Sequence, residues 1–523
     1  MVESRVSSAY GYISGSERSA QLLRLGVSGL FILLIWAWLH LGGIAVPGAP
    51  LLVVAALIGA YMAMGIGAND VANNVGPSVG SGALTMTGAV IIAAIFEAAG
   101  ALIAGGEVVG TIKSGIINPE MVADPRNFIW LMTAALLAGA LWLNLATVLG
   151  APVSTTHSIV GGVLGAGLAA GGLAIANWDV MGRIVASWVV SPFMGGLIAA
   201  SMLFTIKKLV LYRQDRVMAA RVFVPWLIAL MAWAFGTYLV IKGLEQLWQA
   251  TFLQAALAGL AIAAAVFFIV RAQIVHQAAA MPNTTGGVNG LFTIPLIFAA
   301  ALLSFAHGAN DVANAIGPVA AINEAIQSGG IAGEAQIPLW VLAIGALGLA
   351  LGLALFGPRL IRTVGSEITE LDKTRAFCIA LAAAITVIIA SQLGLPVSST
   401  HTALGAVFGV GFLREFLKTN YATRLHSILD HHRGPDREEL RQFLEDFRQA
   451  TVEEMEAMIK QAKKKQTEVA LKKKERKRLK KIYQEEMVKR KLLIKIAAAW
   501  VITVPASALL AAMLYFTIRG MMV

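Results

Sequence analysis

The sequence predicts an all-α polytopic membrane protein of about 12 transmembrane helices, set out as two inverted-topology repeats with broken or re-entrant helices at the midplane. Three observations carry this reading. Hydrophobic residues make up 57% of the 523 positions and charged residues only 14%, against roughly 25% charged in an average soluble domain. Apolar stretches of spanning length recur along the chain. Two separate polar motifs each occur twice, in the same order.

A helix needs about 20 apolar residues to cross a bilayer. By that measure thirteen candidate spans fall at 23–41, 51–67, 86–106, 127–149, 153–173, 183–206, 222–242, 251–271, 290–306, 338–357, 374–394, 397–413 and 494–517. Gly, Pro and Asn interrupt several of them, which marks those as candidates for broken helices or hairpins. The first stretch lacks a small-residue cleavage pattern and reads as a retained span. Fifty-two glycines let the helices approach one another closely.

Lys and Arg accumulate on the cytoplasmic side of short loops. Lys207, Lys208, Arg213, Arg216 and Arg221 form one such loop, and Arg359, Arg362, Lys373 and Arg375 another, with four candidate spans between them. An even number lets both loops face the cytoplasm. Two further spans bring Arg414 to the same side.

The formal charge of +11 is concentrated in one place: Arg414 to Lys495 holds 23 basic and 14 acidic residues, net +9, and leaves the rest of the chain nearly neutral. A nucleic-acid binder carries its charge on a folded face, so no nucleic-acid partner is expected. The insertion has apolar residues at helical spacing (Leu440, Phe443, Leu444, Phe447, Met455, Met458, Ile459) before a lysine-rich run, Lys463 to Lys481. This reads as amphipathic helices beside the membrane, where lysines attract anionic lipid at about 1 kcal/mol each. The single cysteine, Cys378, excludes a disulfide framework or a multi-cysteine metal site.

Gly67-Ala68-Asn69-Asp70-Val71-Ala72-Asn73-Asn74-Val75-Gly76-Pro77 returns as Gly308-Ala309-Asn310-Asp311-Val312-Ala313-Asn314-Ala315-Ile316-Gly317-Pro318, identical at nine of eleven positions and shifted by 241. Pro152-Val153-Ser154-Thr155-Thr156-His157 returns as Pro396-Val397-Ser398-Ser399-Thr400-His401, shifted by 244. Seven candidate spans separate the two Asn-Asp motifs, and an odd number inserts the second copy upside down relative to the first. Inverted repeats are the architecture of many secondary transporters. Asp70 and Asp311 are therefore expected to face one another across a central site.

An aspartate in an apolar span costs about 2.5 to 3.5 kcal/mol on insertion scales and needs a partner. Asn69 with Asn73, and Asn310 with Asn314, put two carboxamides on one helical face beside each Asp. With unwound backbone oxygens they would form an oxygen-only cage, suited to Na⁺ or to a proton. In the second motif, Pro before Ser and Thr signals a helix start, and a helix N-terminus offers free N–H groups to an anion. Ser154, Thr155, Thr156, Ser398, Ser399 and Thr400 add hydroxyls, so two such termini could hold a tetrahedral oxyanion. Neither motif contains Lys or Arg, which suits a carrier that must release its anion. His157 and His401 are candidate anion contacts or structural hydrogen-bonding groups. Glu97 is a coupling-ion group or a buried acceptor. His307 occurs in one copy only and carries less weight.

At these residues the chain resembles the inorganic phosphate transporter (PiT, or Pho4) family of Na⁺- or H⁺-coupled phosphate symporters. The resemblance rests on both Gly-Ala-Asn-Asp-Val-Ala-Asn segments and both Pro-Val-Ser-x-Thr-His segments. It extends to Gly80-Ser81-Gly82-Ala83-Leu84-Thr85, Ile95-Phe96-Glu97, Gly110-Thr111-Ile112-Lys113-Ser114-Gly115-Ile116-Ile117 and Trp500-Val501-Ile502-Thr503-Val504-Pro505. It implies that Asp70 and Asp311, with their Asn neighbours, handle the coupling Na⁺, that Glu97 takes part in coupling, and that residues 154–156 and 398–400 sit at phosphate. Gly80 to Thr85 and Ile95-Phe96-Glu97 look like the sodium-coupled branch. The chain departs from eukaryotic relatives at Ala380, where those carry a Glu.

The expected function is a phosphate-importing symporter driven by a Na⁺ gradient, with no cofactor. Proton coupling, a metal–phosphate cargo and sulfate are alternatives within the class, and an anion channel or a phosphate sensor are alternatives outside it. No nucleophile–base set or catalytic metal motif points to an enzyme. The expected organisation is an N-terminal segment with an extra helix (1–50), a first repeat (51–206), connecting helices (207–289), a second repeat (290–413), a charged cytoplasmic insertion (414–493) and a final span (494–523). The expected place is the plasma membrane, the inner membrane in a bacterium, with lipid as a partner. Transporters of this size often form homodimers, though no motif here specifies one.

Overall fold

The computed structural model describes residues 15–42, 49–122, 124–149, 153–243, 249–328, 337–367, 371–417, 441–446, 458 and 490–522. The described residues are helical throughout, apart from turns and one isolated antiparallel bridge between Ile117 and Ala176. In chain order the helices are α1 (Gly15–Leu41), α2 (Ala49–Gly80), α3 (Met86–Ala104) and α4 (Gly106–Gly110), which runs into a π-helical turn at Thr111–Gly115. There follow α5 (Pro125–Leu149), α6 (Thr155–Gly171), α7 (Trp178–Ile206), α8 (Arg216–Gly243), α9 (Phe252–Ala279) and α10 (Thr285–Leu291). The last are α11 (Thr293–Ser328), α12 (Leu339–Glu367), α13 (Lys373–Gln392), α14 (Ser399–Leu417) and α15 (Arg490–Met522).

Eleven of these helices are long and apolar enough to cross a membrane, and the chain is a multi-pass membrane protein. The sequence count of thirteen included 153–173 and 397–413, which are α6 and α14 and are not among the eleven. At 17 residues, α6 is about 26 Å long, short of the bilayer core. It starts at a buried tip and packs back on α5, where Gly162 lies against the backbone of Ala135. Hydrophobic Leu, Val, Ile, Trp and Phe side chains remain exposed along α1, α7 and α9, as lipid-facing surfaces require.

One expectation fails. The Asn-Asp motifs do not unwind their helices: α2 and α11 run unbroken through residues 67–76 and 308–317, and the cage has no unwound backbone oxygens there. Pro77 and Pro318, the last residues of the motifs, also lie within these helices. The backbone breaks instead at the turns into α6 and α14, where Gly394 takes φ +63°.

The duplication is visible in the packing. A Cβ at Gly67 would strike the carbonyl of Leu349 on α12, and a Cβ at Gly308 that of Glu97 on α3. Gly100 meets the carbonyl of Phe305, and Gly352 that of Met64, in the same relation. Glycine at all four positions brings α2 onto α12 and α11 onto α3 at backbone distance. Meanwhile Gly59 faces Ala315 and Val319, while Asp70 reaches back to His307, so α2 and α11 run antiparallel. The inversion expected from the sequence is therefore present, although one of the seven spans counted toward it, 153–173, is α6 and is not among the eleven.

The chain divides into two compact units, Met1–Ala406 with Ile496–Val523, and Val407–Lys495. The second holds the charged insertion. Within it 441–446 is helical, and the remaining amphipathic pattern and the lysine run at 463–481 lie outside the described residues.

Candidate functional site

Asp70 and Asp311 project from the crossing of α2 and α11, and both are buried. Between them lies His307, one helical turn before Asp311. Its Nε2 is 2.9 Å from Oδ2 of Asp311 and 3.9 Å from Oδ2 of Asp70, and its Nδ1 is 3.3 Å from Oε1 of Glu97. One ligand atom from each of Asp70, His307 and Asp311 lies within 4.8 Å of the other two. The two aspartates thus converge on one centre.

The tips ahead of α6 and α14 supply hydroxyls to that centre. Thr400 Oγ1 stands 3.1 Å from Oδ1 of Asp70, and Thr155 Oγ1 stands 3.5 Å from its Oδ2. Ser399 donates to Oδ2 of Asp311 at 2.7 Å. The carboxamides cross between repeats: Asn73 donates to Thr400 at 2.8 Å, while Asn314 donates to Thr155 and Thr156 at 3.3 and 3.1 Å. Oδ1 of Asp311 and Oδ1 of Asn314 are buried and accept no hydrogen bond from the described residues. Such unused oxygen acceptors fit a hard cation.

Other residues of the motifs have structural partners. Asn69 donates to the carbonyl of Gly65 and accepts from Thr147 on α5, while Asn310 donates to Ser391 and to the carbonyl of Leu395. Each therefore fastens its helix to the first arm of a hairpin. Ser154 and Ser398 cap α6 and α14, accepting from the backbone N–H of His157 and His401 at 3.2 and 3.3 Å. His157 and His401 meet at a tilt of 57°, with centroids 4.9 Å apart, and the His157 ring centroid also lies 3.8 Å from that of Trp188. The two rings face one another across the tips.

Three members of the cluster break the repeat. The position of His307 is Ile66 in the first copy, and that of Asn74 is Ala315 in the second. Glu97, at the carbonyl facing Gly308, corresponds to Leu349 facing Gly67. Asn74 donates to Oε1 of Glu97 at 2.8 Å, so Asn74, Glu97 and His307 form one buried network that has only apolar counterparts. Reading for repetition gives His307 less weight and passes over Asn74, while Glu97 is named for being a carboxylate in an apolar span. Their signal was a His one turn before an intramembrane Asp.

Access also differs between the copies. Asn69, Asn73 and Thr400 are half-buried, whereas their counterparts Asn310, Asn314 and Thr156 are fully buried.

The profile of the phosphate transporter family matches residues 66–511. A Helicobacter pylori (strain J99) protein, provisionally named a phosphate permease, is 54% identical over 475 residues, spanning 89% of each chain. A Pyrococcus furiosus protein with the same provisional name is 42% identical over 372 residues, 71% of this chain and 90% of that one. A solved structure described as the sodium-dependent phosphate transporter superposes with a TM-score of 0.73 at 32% identity, covering 90% of this chain and 99% of the other.

Proposed function

The chain belongs to the phosphate transporter family, and from that premise we propose that it is a secondary symporter, importing inorganic phosphate on a Na⁺ gradient by alternating access between two inverted halves. The observation that carries this reading is the turning of the tip hydroxyls onto the aspartates.

An anion brought beside two carboxylates is repelled by about 4 kcal/mol per unit-charge pair at 4 Å, for an effective dielectric of 20. With no Lys or Arg in either motif, cations must supply the compensating charge. Na⁺ held by Asp70 and Asp311, with Asn73 and Asn314 as neutral oxygen ligands, does so. Carboxylates engaged by cations release Thr155, Thr400 and Ser399, which then donate to phosphate together with the N-termini of α6 and α14. Cation and anion thereby bind as a unit, which is the requirement for symport. Na⁺ is cargo here, not a resident cofactor. Glu97 acts with Asp311 through His307 and links cation occupancy to that network.

The unequal exposure of equivalent residues supports alternating access. The set Asn69, Asn73 and Thr400, drawn from both repeats, is the more exposed while its repeat-related set is sealed, and exchange of the two arrangements would open the opposite face. The loop-charge pattern supports a cytoplasmic side for residues 207–221, 359–375 and the 414–493 insertion, in a plasma membrane.

The test is radiolabelled phosphate uptake into proteoliposomes under an imposed Na⁺ or H⁺ gradient. Na⁺-driven uptake, with sulfate failing to compete, is expected. Uptake driven by a proton gradient alone, with sodium irrelevant, would sink Na⁺ coupling and favour His307 and its carboxylates as a proton site.

A further inference from the structure

The turn ahead of α14 exposes four consecutive backbone carbonyls in the middle of a membrane protein, where each needs a donor. All four have one. Gly394 accepts from Thr111 Oγ1 at 2.6 Å, Leu395 from Asn310 Nδ2 at 3.3 Å, Pro396 from Trp188 Nε1 at 2.9 Å and Val397 from Thr156 Oγ1 at 3.0 Å. Asn310 and Thr156 belong to the duplicated motifs. Thr111 and Trp188 do not, and both come from the opposite repeat.

Each is itself held firmly. Thr111 opens the π-helical turn 111–115, whose next residue but one, Lys113, makes a buried ion pair of 2.6 Å with Glu324 on α11. Ile112 fills the space over Gly317 of the same helix. The π turn is thus pinned to α11 on both sides, and Thr111 projects from it onto Gly394 at the φ +63° position. Trp188 lies on α7 and packs its ring on His157 at 3.8 Å. The pattern Thr111-Ile112-x-Ser114 is repeated in sequence as Thr363-Val364-x-Ser366.

We propose that Thr111 and Trp188 are positioning residues for the phosphate site: a two-point clamp that fixes the 394–397 turn and so sets where Ser399 and Thr400 present their hydroxyls. The inference rests on the reading of residues 398–400 as part of the phosphate site. Neither residue touches the anion. They act by removing freedom from a backbone turn that must hold its donors within a fraction of an ångström.

The experiment compares Thr111→Val, which keeps the shape and loses the hydroxyl, with Thr111→Ser, which keeps the hydroxyl, and with Trp188→Phe. Uptake kinetics are measured in proteoliposomes, and amide hydrogen exchange over 393–402 in the full-length protein. Thr111→Val and Trp188→Phe should each raise the half-saturating phosphate concentration roughly two- to tenfold, the worth of one hydrogen bond, with little loss of maximal rate. Both should speed exchange at 393–402, and Thr111→Ser should restore both readouts. An unchanged half-saturation in Thr111→Val, or equal damage from Val and Ser, overturns the clamp. Exchange is read without phosphate, so if the wild-type protein moved no phosphate, the functional reading would fail while faster exchange in Thr111→Val still reported the clamp.

Discussion

The hydroxyl of Thr400 stands 3.1 Å from Oδ1 of Asp70, a residue 330 positions earlier in the chain. A donor of one repeat thus rests on the carboxylate of the other, in a place where phosphate and cation would each claim one of them.

Asp70→Asn and Asp311→Asn keep the volume and remove the carboxylate proposed to hold Na⁺. Each should abolish gradient-driven uptake while leaving the protein folded in the membrane. Proteoliposome flux, with a thermal melt in detergent as control, checks this. Near-normal uptake in either variant removes that aspartate from the mechanism.

The buried network of Asn74, Glu97 and His307 can be converted to its counterpart in the other half. His307→Ile alone takes one polar partner from each of Glu97 and Asp311, leaving them Asn74 and Ser399, and should destabilise by about 1–3 kcal/mol. The triple change Asn74→Ala, Glu97→Leu, His307→Ile removes the Glu97 network together and should recover part of that stability while uptake stays lost. A triple variant less stable than His307→Ile would show that the apolar packing does not transfer.

Asn73 and Asn314 differ in exposure although the motif makes them equivalent. With Cys378 buried, a small thiol reagent should label Asn73→Cys rapidly and Asn314→Cys slowly in the absence of phosphate and Na⁺. Equal rates, read by mass spectrometry, would contradict a one-sided opening.

Lys113 and Glu324 pair at 2.6 Å in the protein interior. Lys113→Met leaves a buried carboxylate without its counter-charge and should cost about 3–5 kcal/mol, most of it recovered in Lys113→Met/Glu324→Leu. Unfolding of the single and double variants decides it, and no recovery in the double would place the effect in packing rather than charge.

A Cβ at Gly308 would meet the carbonyl of Glu97, while Gly110 has nothing within 4 Å of the same atom. Gly308→Ala should push α3 from α11 and lower both stability and uptake. Gly110→Ala should be neutral or stabilising by about 0.5–1 kcal/mol, because alanine gives up less backbone entropy in a helix. A harmless Gly308→Ala would show that the helices yield at this contact.

Much of this was legible in the sequence because duplication makes geometry countable. Two motifs repeated in the same order imply two related halves, and related halves imply that Asp70 and Asp311 converge; the span count itself was one too many between the motifs, because α6 is too short to be among the eleven. Continuity of α2 and α11 was not legible, because Gly, Asn and Pro read locally as helix breakers. In the fold Gly67 and Gly308 are there for close helix approach, and their helices carry on past them. His307 and Asn74 escaped because repetition was the criterion and they lack it. Thr111 and Trp188 escaped for another reason: their partners are backbone carbonyls more than 200 positions away, and a carbonyl leaves no signature in residue type.

The Glu97–His307–Asn74 network has a consequence for energetics. Were the halves chemically identical, twofold exchange would turn the outward-facing form into the inward-facing one at no change in free energy, and the unloaded carrier would divide itself evenly between them. Glutamate, histidine and asparagine opposite leucine, isoleucine and alanine abolish that degeneracy. Under the proposed alternating access the empty carrier would be free to prefer one orientation, and these three side chains are among the differences that would set it.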